Sequence, residues 1–344
     1  MQRIFTQTHK PIQFSFKQSI EDFKVEEIPQ NQFSGRGNFL ILHIEKKNLS
    51  TWDLLNSLSQ MSGINNSEFG YAGLKDKHAT SQQYISIHKK YERSLKNIRH
   101  KNIKILKTHL NQKPLSIGDL QGNRFTLKIK NLQLEQKENF ETIFNSIKDY
   151  GMPNYFGYQR FGRDGSSFEE AKSVVYGDKF IKDSKLRKFL ASAYQSHFFN
   201  NWLHERIKIS QKNNELFTIL SGDVMLNLKE NKLFTPKELE KTVENFKNRT
   251  IVPTGLLPGR KVWRSMDKAY EIEKKFDDSH IHEKGSRRAA WIYPSEMKFT
   301  YNEKTKSAQL KFSLPKSSYA TVLLENIANK NFTSSKNGFI FKYI

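Results

Sequence analysis

The chain has no cysteine among its 344 residues. That excludes disulfides, thiolate-bound zinc, iron–sulfur clusters and the cysteine-nucleophile methyltransferases of nucleic acids. It also excludes the zinc nucleobase deaminases, whose metal site needs P-C-x-x-C. Long apolar runs are missing too: the longest strong one, Phe39 to Ile44, falls far short of the ~20 residues of a membrane span. The first ten residues, MQRIFTQTHK, contain no signal-peptide hydrophobic stretch, so a cytoplasmic protein without membrane association is expected. Acidic residues are the third shortage. Asp+Glu number 35 against 57 Lys+Arg, leaving a formal charge of +22 and a pI near 9.8. A compositional bias toward lysine does not explain so few acids, and a polyanion is the natural partner of such a surface.

What is present argues for packed cores. Hydrophobic residues make up 36% of the chain and 26 residues are Phe, too much apolar surface for a disordered basic protein. The length suits two domains. No repeat at solenoid periods and no low-complexity tract occurs. The first part reads mainly as strands: Phe39 to Ile44 is continuous, Gln83 to His88 is β-rich, and Phe125, Leu127 and Ile129 alternate with Thr126, Lys128 and Lys130. Phe140, Ile143, Phe144 and Ile147 then recur at helical spacing and stop at Gly151. Leu186, Phe189, Leu190 and Ala193 give a second helical stripe, and Met266 to Asp277 a charged helical candidate. Strand alternation returns with Ala308, Leu310, Phe312 and Leu314 facing one way and Gln309, Lys311 and Ser313 the other, before a last helix marked by Ala320, Leu323, Leu324 and Ile327. An α+β protein follows, a sheet domain interrupted by a helix-richer insertion and completed by the C-terminus.

Chemistry is densest in Gly70-Tyr71-Ala72-Gly73-Leu74-Lys75-Asp76-Lys77-His78-Ala79-Thr80. Two glycines lead into a carboxylate flanked by lysines, with a histidine behind. Flanking cations favour the charged carboxylate, which suits a nucleophile or ion-pair partner better than a proton donor. A charged turn entering the strand Gln83 to His88 accounts for the same residues. Other signatures fail. Gly35-Arg36-Gly37 lacks a third glycine, there is no G-K-[ST] phosphate loop and no G-x-S-x-G elbow, and His280 and His282 lack a third metal ligand. Cofactor-free chemistry on a polyanion survives. Aromatic rings beside cations in Pro153 to Arg163 and in Ser196 to Asn200 suit stacking on unpaired bases of RNA, or core packing, the latter favoured for Phe198 and Phe199; Phe125 is open in the same way.

With these motifs the chain resembles the TruD family of tRNA pseudouridine synthases. The matching segments run nearly end to end: Glu21-Asp22-Phe23, Ala72 to Thr80, Gly122-Asn123-Arg124-Phe125-Thr126, Pro153 to Gly157, Gly222-Asp223-Val224, Pro253-Thr254-Gly255, Arg287-Arg288-Ala289 and Leu314 to Thr321. The resemblance implies a mixed, mainly antiparallel pseudouridine-synthase sheet domain from residues 1–153 and 301–344, interrupted by the family's inserted α/β domain at 154–300. It implies Asp76 as the catalytic aspartate, Lys17 as its basic partner, and Phe23, Asn123, Phe125 and Tyr319 around the target uracil; Lys75 and His78, in the same motif as the aspartate, are also expected to bind substrate. Uridine-13 of tRNA would be the target, no cofactor or metal would be needed, and a monomer is expected. Two residues depart from the family pattern: Tyr319 stands where phenylalanine is frequent, and Gln195 where arginine is usual. A non-catalytic RNA-binding protein of the same fold is the alternative; a methyltransferase would need a glycine-rich donor loop that the chain lacks.

Overall fold

The alternation of Phe125, Leu127 and Ile129 builds the strand Leu120–Lys130, an interior strand of the main sheet in the computed structural model. The structure describes residues 3–16, 19–96, 98–161 and 167–332. They fall into two units, one made of residues 13–138 and 294–317, the other of 3–12, 139–293 and 318–332. The fold class is α+β with mainly antiparallel sheets, as the residue patterns lead one to expect.

In the first unit a nine-stranded sheet runs in the order Ser295–Asn302, Ser307–Pro315, Leu120–Lys130, Phe23–Pro29, Thr80–His88, Phe39–Lys47 and Ile103–Asn111, with Ser15–Phe16 paired to Leu120–Lys130 and Gly70–Tyr71 to Thr80–His88. Every pairing is antiparallel except that of Phe23–Pro29 with Thr80–His88. A parallel pair needs a crossover, and the chain between these strands supplies it with the strand Phe39–Lys47 and the helix Thr51–Ser62. That helix starts at a capping box: Ser50 Oγ accepts from the Asp53 amide at 3.0 Å, and the Asp53 carboxylate accepts from the Ser50 amide at 2.9 Å, an arrangement that contributes about 1 kcal/mol. Leu54, Leu55 and Leu58 of the helix pack on Leu40, Leu42, Ile44, Ile85 and Ile87 of the sheet. Each such side chain stabilises the fold by roughly 1.5–3 kcal/mol.

The second unit is organised by the helix Ser184–Lys212. Asn200 in its middle holds the backbone of Phe156 in both directions, accepting from its N–H at 2.8 Å and donating to its carbonyl at 2.9 Å. A four-stranded sheet, ordered Lys232–Phe234, Met225–Asn227, Ile251–Leu257 and Ser286–Ala289, lies in the same unit. The helix Ala320–Ala328 is buried on every side, and the buried Arg3 side chain meets the buried Glu325 carboxylate.

Two details differ from the pattern reading. The stripe through Leu186, Phe189, Leu190 and Ala193 is helical, but only Leu190 and Ala193 are buried; Leu186 and Phe189 lie exposed. The inward face in these turns is set instead by Leu190, Ala191, Ala193 and Tyr194. Ser313, assigned by alternation to the polar face with Gln309 and Lys311, is buried and donates to Glu296 at 2.5 Å, because the Glu296 side chain reaches it from the irregular start of the neighbouring strand Ser295–Asn302.

Candidate active site

The register of the main sheet collects polar residues at one end of an otherwise apolar face. Residues directly opposite in a ladder share a face. Phe23 pairs with Leu127, Val25 with Phe125 and Glu27 with Asn123, while Phe125 pairs with Phe312 and Asn123 with Leu314 on the other side. The face is therefore apolar at Phe23 and Phe125 and turns polar at Glu27 and Asn123. The same happens two strands away. Leu42 opposes Ile85, Ile44 opposes Gln83 and Lys46 opposes Ser81, so an aliphatic row ends in Gln83, Ser81 and Lys46, all three buried completely. Ser81 Oγ, Gln83 Nε2 and Asn123 Oδ1 are buried atoms without a hydrogen-bond partner among the described residues. Most buried polar atoms in folded proteins are satisfied, so such a concentration marks a place built for more than packing.

The loop Ala72–Ala79 is fastened to this polar end. Thr51 Oγ1 accepts from the Lys75 amide at 2.8 Å and donates to Gln83 Oε1 at 3.1 Å. The Lys75 ammonium is buried against the buried carboxylate of Glu27, whose other oxygen accepts from the Tyr84 amide at 3.3 Å. Lys46 Nζ donates to the Asp76 carbonyl at 2.9 Å and to the Leu49 carbonyl. Asn48 donates its amide to the Ala79 carbonyl at 3.2 Å, and Gly118 donates to the Ala72 carbonyl at 2.8 Å. The backbone on both sides of Asp76 is thus pinned from below, while Asp76 itself is exposed.

Electrostatics around the loop differ from the simple picture of a carboxylate between two lysines. Lys75 belongs to Glu27, and Lys77 reaches Asp53 at 3.5 Å on the surface. The Asp53 carboxyl is held below the usual range, chiefly because it accepts the Ser50 amide that caps the helix. A buried cation that interacts with Asp76 is Lys46. Sequence reading missed it, although the parity of Leu40, Leu42, Ile44 and Lys46 along one strand places it on the buried face.

The remaining expected residues are distributed as follows. Phe23 and Phe125 are buried together with ring centroids 6.1 Å apart, and Phe125 stacks on Phe312 at 5.4 Å. Asn123 is half-buried beside Glu27, and Gly122 before it is required by a close approach: a Cβ there would lie 2.1 Å from the Leu314 carbonyl oxygen. His78 is half-buried at the end of the loop. Lys17 lies outside the described residues. Near the loop, Leu74 and Trp52 are exposed apolar side chains, and the Trp52 ring meets Tyr71 edge-on at 5.7 Å.

Tyr319 belongs to the second unit, where it caps the helix Ala320–Ala328. Its ring lies 6.2 Å from that of Phe156, and a Cβ on Gly157 would come within 3.0 Å of it. Phe156 is covered in turn by the buried Arg288 guanidinium at 3.9 Å, which also donates to the Asn154 carbonyl and side-chain oxygen. Phe199 is buried and Phe198 half-buried. Gln195, in place of the family's usual arginine, is buried and donates to the Pro258 carbonyl at 2.7 Å and the Lys284 carbonyl at 3.3 Å. Its amide therefore ties two loops together.

On a strongly basic chain, the polar end of the sheet carries an exposed carboxylate, Asp76, on a loop whose backbone is pinned. The model of the family described as tRNA pseudouridine synthase D (TruD) matches residues 2–181 and 179–327. A tRNA pseudouridine synthase D from Nitratiruptor sp. is 41% identical, covering 96% of this chain and 99% of its own length. One from Wolinella succinogenes is 40% identical over 96% and 99%. A crystal structure of a Methanosarcina mazei protein described as a tRNA pseudouridine synthase D superposes with a TM-score of 0.73, at 22% identity, over 95% of this chain and 96% of that one; at that identity the likeness concerns the fold. The chain belongs to the TruD family of tRNA pseudouridine synthases. Among the described residues no helix is long and apolar enough to cross a membrane, and no His, Asp or Glu cluster is arranged to hold a metal ion.

Proposed function

We propose that the protein isomerises uridine to pseudouridine in tRNA, at uridine-13 as the family resemblance implies, with Asp76 as its catalytic carboxylate. The observation that carries this reading is the loop geometry: Asp76 is exposed while the backbone on either side of it is held by Thr51, Lys75 and Lys46 from beneath. A reactive group that must meet a macromolecular substrate needs this combination of access and fixed position.

Isomerisation breaks the bond from ribose C1′ to N1 of uracil, turns the base, and joins C1′ to C5. The C5 proton leaves and N1 gains one, so atoms and electrons balance within the substrate. A carboxylate serves such a reaction either by covalent attack on base or sugar, or by removing the ribose 2′ proton to give a glycal. Both routes need the carboxylate charged and the nucleotide extruded from its helix. Extrusion costs a few kcal/mol, offset by ring contacts of the kind the resemblance assigns to Phe23, Phe125 and Tyr319 and by phosphate contacts from the basic surface. Lys17 is the family's basic partner for the aspartate, and Asn123, Lys75 and His78 complete the surroundings.

The test is Asp76→Asn, which keeps the shape and removes the charge. With unmodified tRNA, purified protein and no additives, mass-spectrometric mapping should find pseudouridine with the natural chain. The variant should yield none, a loss of at least about a thousandfold, while tRNA affinity stays within about twofold. Wild-type yield from the variant removes Asp76 from the mechanism. Binding without product by the natural chain would leave an RNA-binding protein.

A further inference from the structure

Lys46 is a lysine with no exposed surface, on the buried face of a strand whose other inward positions are Leu40, Leu42 and Ile44. Burying an ammonium is costly, and a packed apolar residue of similar size usually serves stability as well or better. Among the described residues its hydrogen bonds run to two carbonyls, those of Asp76 and Leu49. Among the described residues the charged groups that face it are Asp76 and Lys75 from the loop and Asp53 from the adjoining helix, and across the ladder stands Ser81, whose hydroxyl is buried without a partner among them.

We propose that Lys46 is a positioning residue for the reaction, fixing the Asp76 backbone through its carbonyl and placing a buried positive charge beside the carboxylate. The proposal rests on the assignment of Asp76 as the catalytic group. A clamp alone needs N–H donors and no charge, and neutral lysine keeps two of them. Charge and clamp are therefore separable by pH. Burial pushes the Lys46 ammonium down to about 8, against the opposing pull of Asp76 and Asp53. Above that value the native state gives up a proton that the unfolded chain holds up to the ordinary lysine value of 10.5. This group therefore adds stability between those values as pH rises, so a rate that falls there is not lost through unfolding driven by Lys46.

The experiment compares the natural chain with Lys46→Gln, whose amide keeps two donors without charge. Single-turnover pseudouridine formation is followed with enzyme in excess from about pH 6.5 to about pH 9.5, spanning the Lys46 titration, alongside tRNA binding and thermal melting. The natural chain should lose rate above pH 8, approaching tenfold per unit. The variant should be at least about tenfold slower at neutral pH and bind tRNA within about twofold of the natural chain. Ionisation of uracil acts equally on both, so the Lys46 limb is read in the ratio of natural to variant rate, which should fall above about pH 8. A variant within about twofold of the natural rate at neutral pH, or a ratio that does not change with pH, overturns the proposal. If the variant does not fold, the natural profile decides alone: a flat rate through pH 9 overturns it. An active Asp76→Asn variant overturns the underlying assignment, whereas an inactive one beside a fully active Lys46→Gln overturns only the role of Lys46.

Discussion

Two fully buried cations, one in each unit, show how differently a positive charge can be housed. Arg206 on the helix Ser184–Lys212 makes paired bonds to both oxygens of Asp223, at 2.6 and 2.8 Å, and donates to the Thr218 carbonyl at 2.7 Å. The Phe217 and Trp202 rings lie 4.8 and 5.3 Å from its guanidinium, and the Asp223 carboxylate also accepts the Leu220 amide at 2.8 Å. Charge meets charge, and of the guanidinium's nitrogens Nε is buried without a hydrogen-bond partner among the described residues. Lys46 has no such seal: its hydrogen bonds go to neutral carbonyls, and the carboxylates that attract it, Asp76 and then Asp53, reach the surface. The first arrangement fastens a fold; the second leaves a buried charge beneath an exposed carboxylate.

The comparison can be tested hardest at Asp223. Asp223→Asn leaves the Arg206 guanidinium buried without its counter-charge, a change that costs about 3–5 kcal/mol. Urea unfolding should show that loss, while pseudouridine formation well below the melting temperature stays within a few-fold of the natural rate. A large loss of rate in a folded Asp223 variant would erase the division between the two cations.

A smaller effect is expected at Phe125, which lies buried between Phe23 and Phe312. Phe125→Leu keeps most of the volume and should cost about 1 kcal/mol of stability. If the ring also stacks on the target uracil, turnover should fall by more than this cost explains; a rate that follows only the fraction folded assigns Phe125 to the core.

The smallest expected effect concerns His197. It is stacked on Phe168 at 3.9 Å, and burial pushes its imidazole down to about 4. Between the ordinary 6.5 and about 4 the unfolded chain binds a proton that the native state refuses, so stability falls as pH drops through that window. His197→Gln should flatten this part of the urea-midpoint profile. Titration in the second unit would then act on stability alone, whereas titration of Lys46, which adds stability above about pH 8, should act on rate as well.

Much of the sheet was legible because its elements repeat a simple rule. Phe125, Leu127 and Ile129 alternate and pair with Phe312, Leu310 and Ala308, which alternate in the same way. The helix Leu134–Tyr150 showed itself through Phe140, Ile143, Phe144 and Ile147, all buried. Legibility failed where a neighbour, and not the residue's own strand, decides exposure, as at Ser313 and Leu186. The candidate site divides along the same line. Gly73-Leu74-Lys75-Asp76-Lys77-His78 stands out as a local cluster, but local spacing suggests that Lys75 and Lys77 serve Asp76, whereas Glu27, 48 residues away, holds Lys75 and Asp53 holds Lys77.

The residues alone determined that the chain folds around large apolar cores, that it carries an excess of positive charge toward a polyanion, and that its reactive chemistry is limited to oxygen and nitrogen groups. These properties follow from composition and from periods of two and 3.6, which every segment carries within itself. Only the tertiary structure decided which cation stands by which carboxylate. Coulomb attraction depends on distance and on the exclusion of water, and both are fixed by sheet register between strands far apart in the chain.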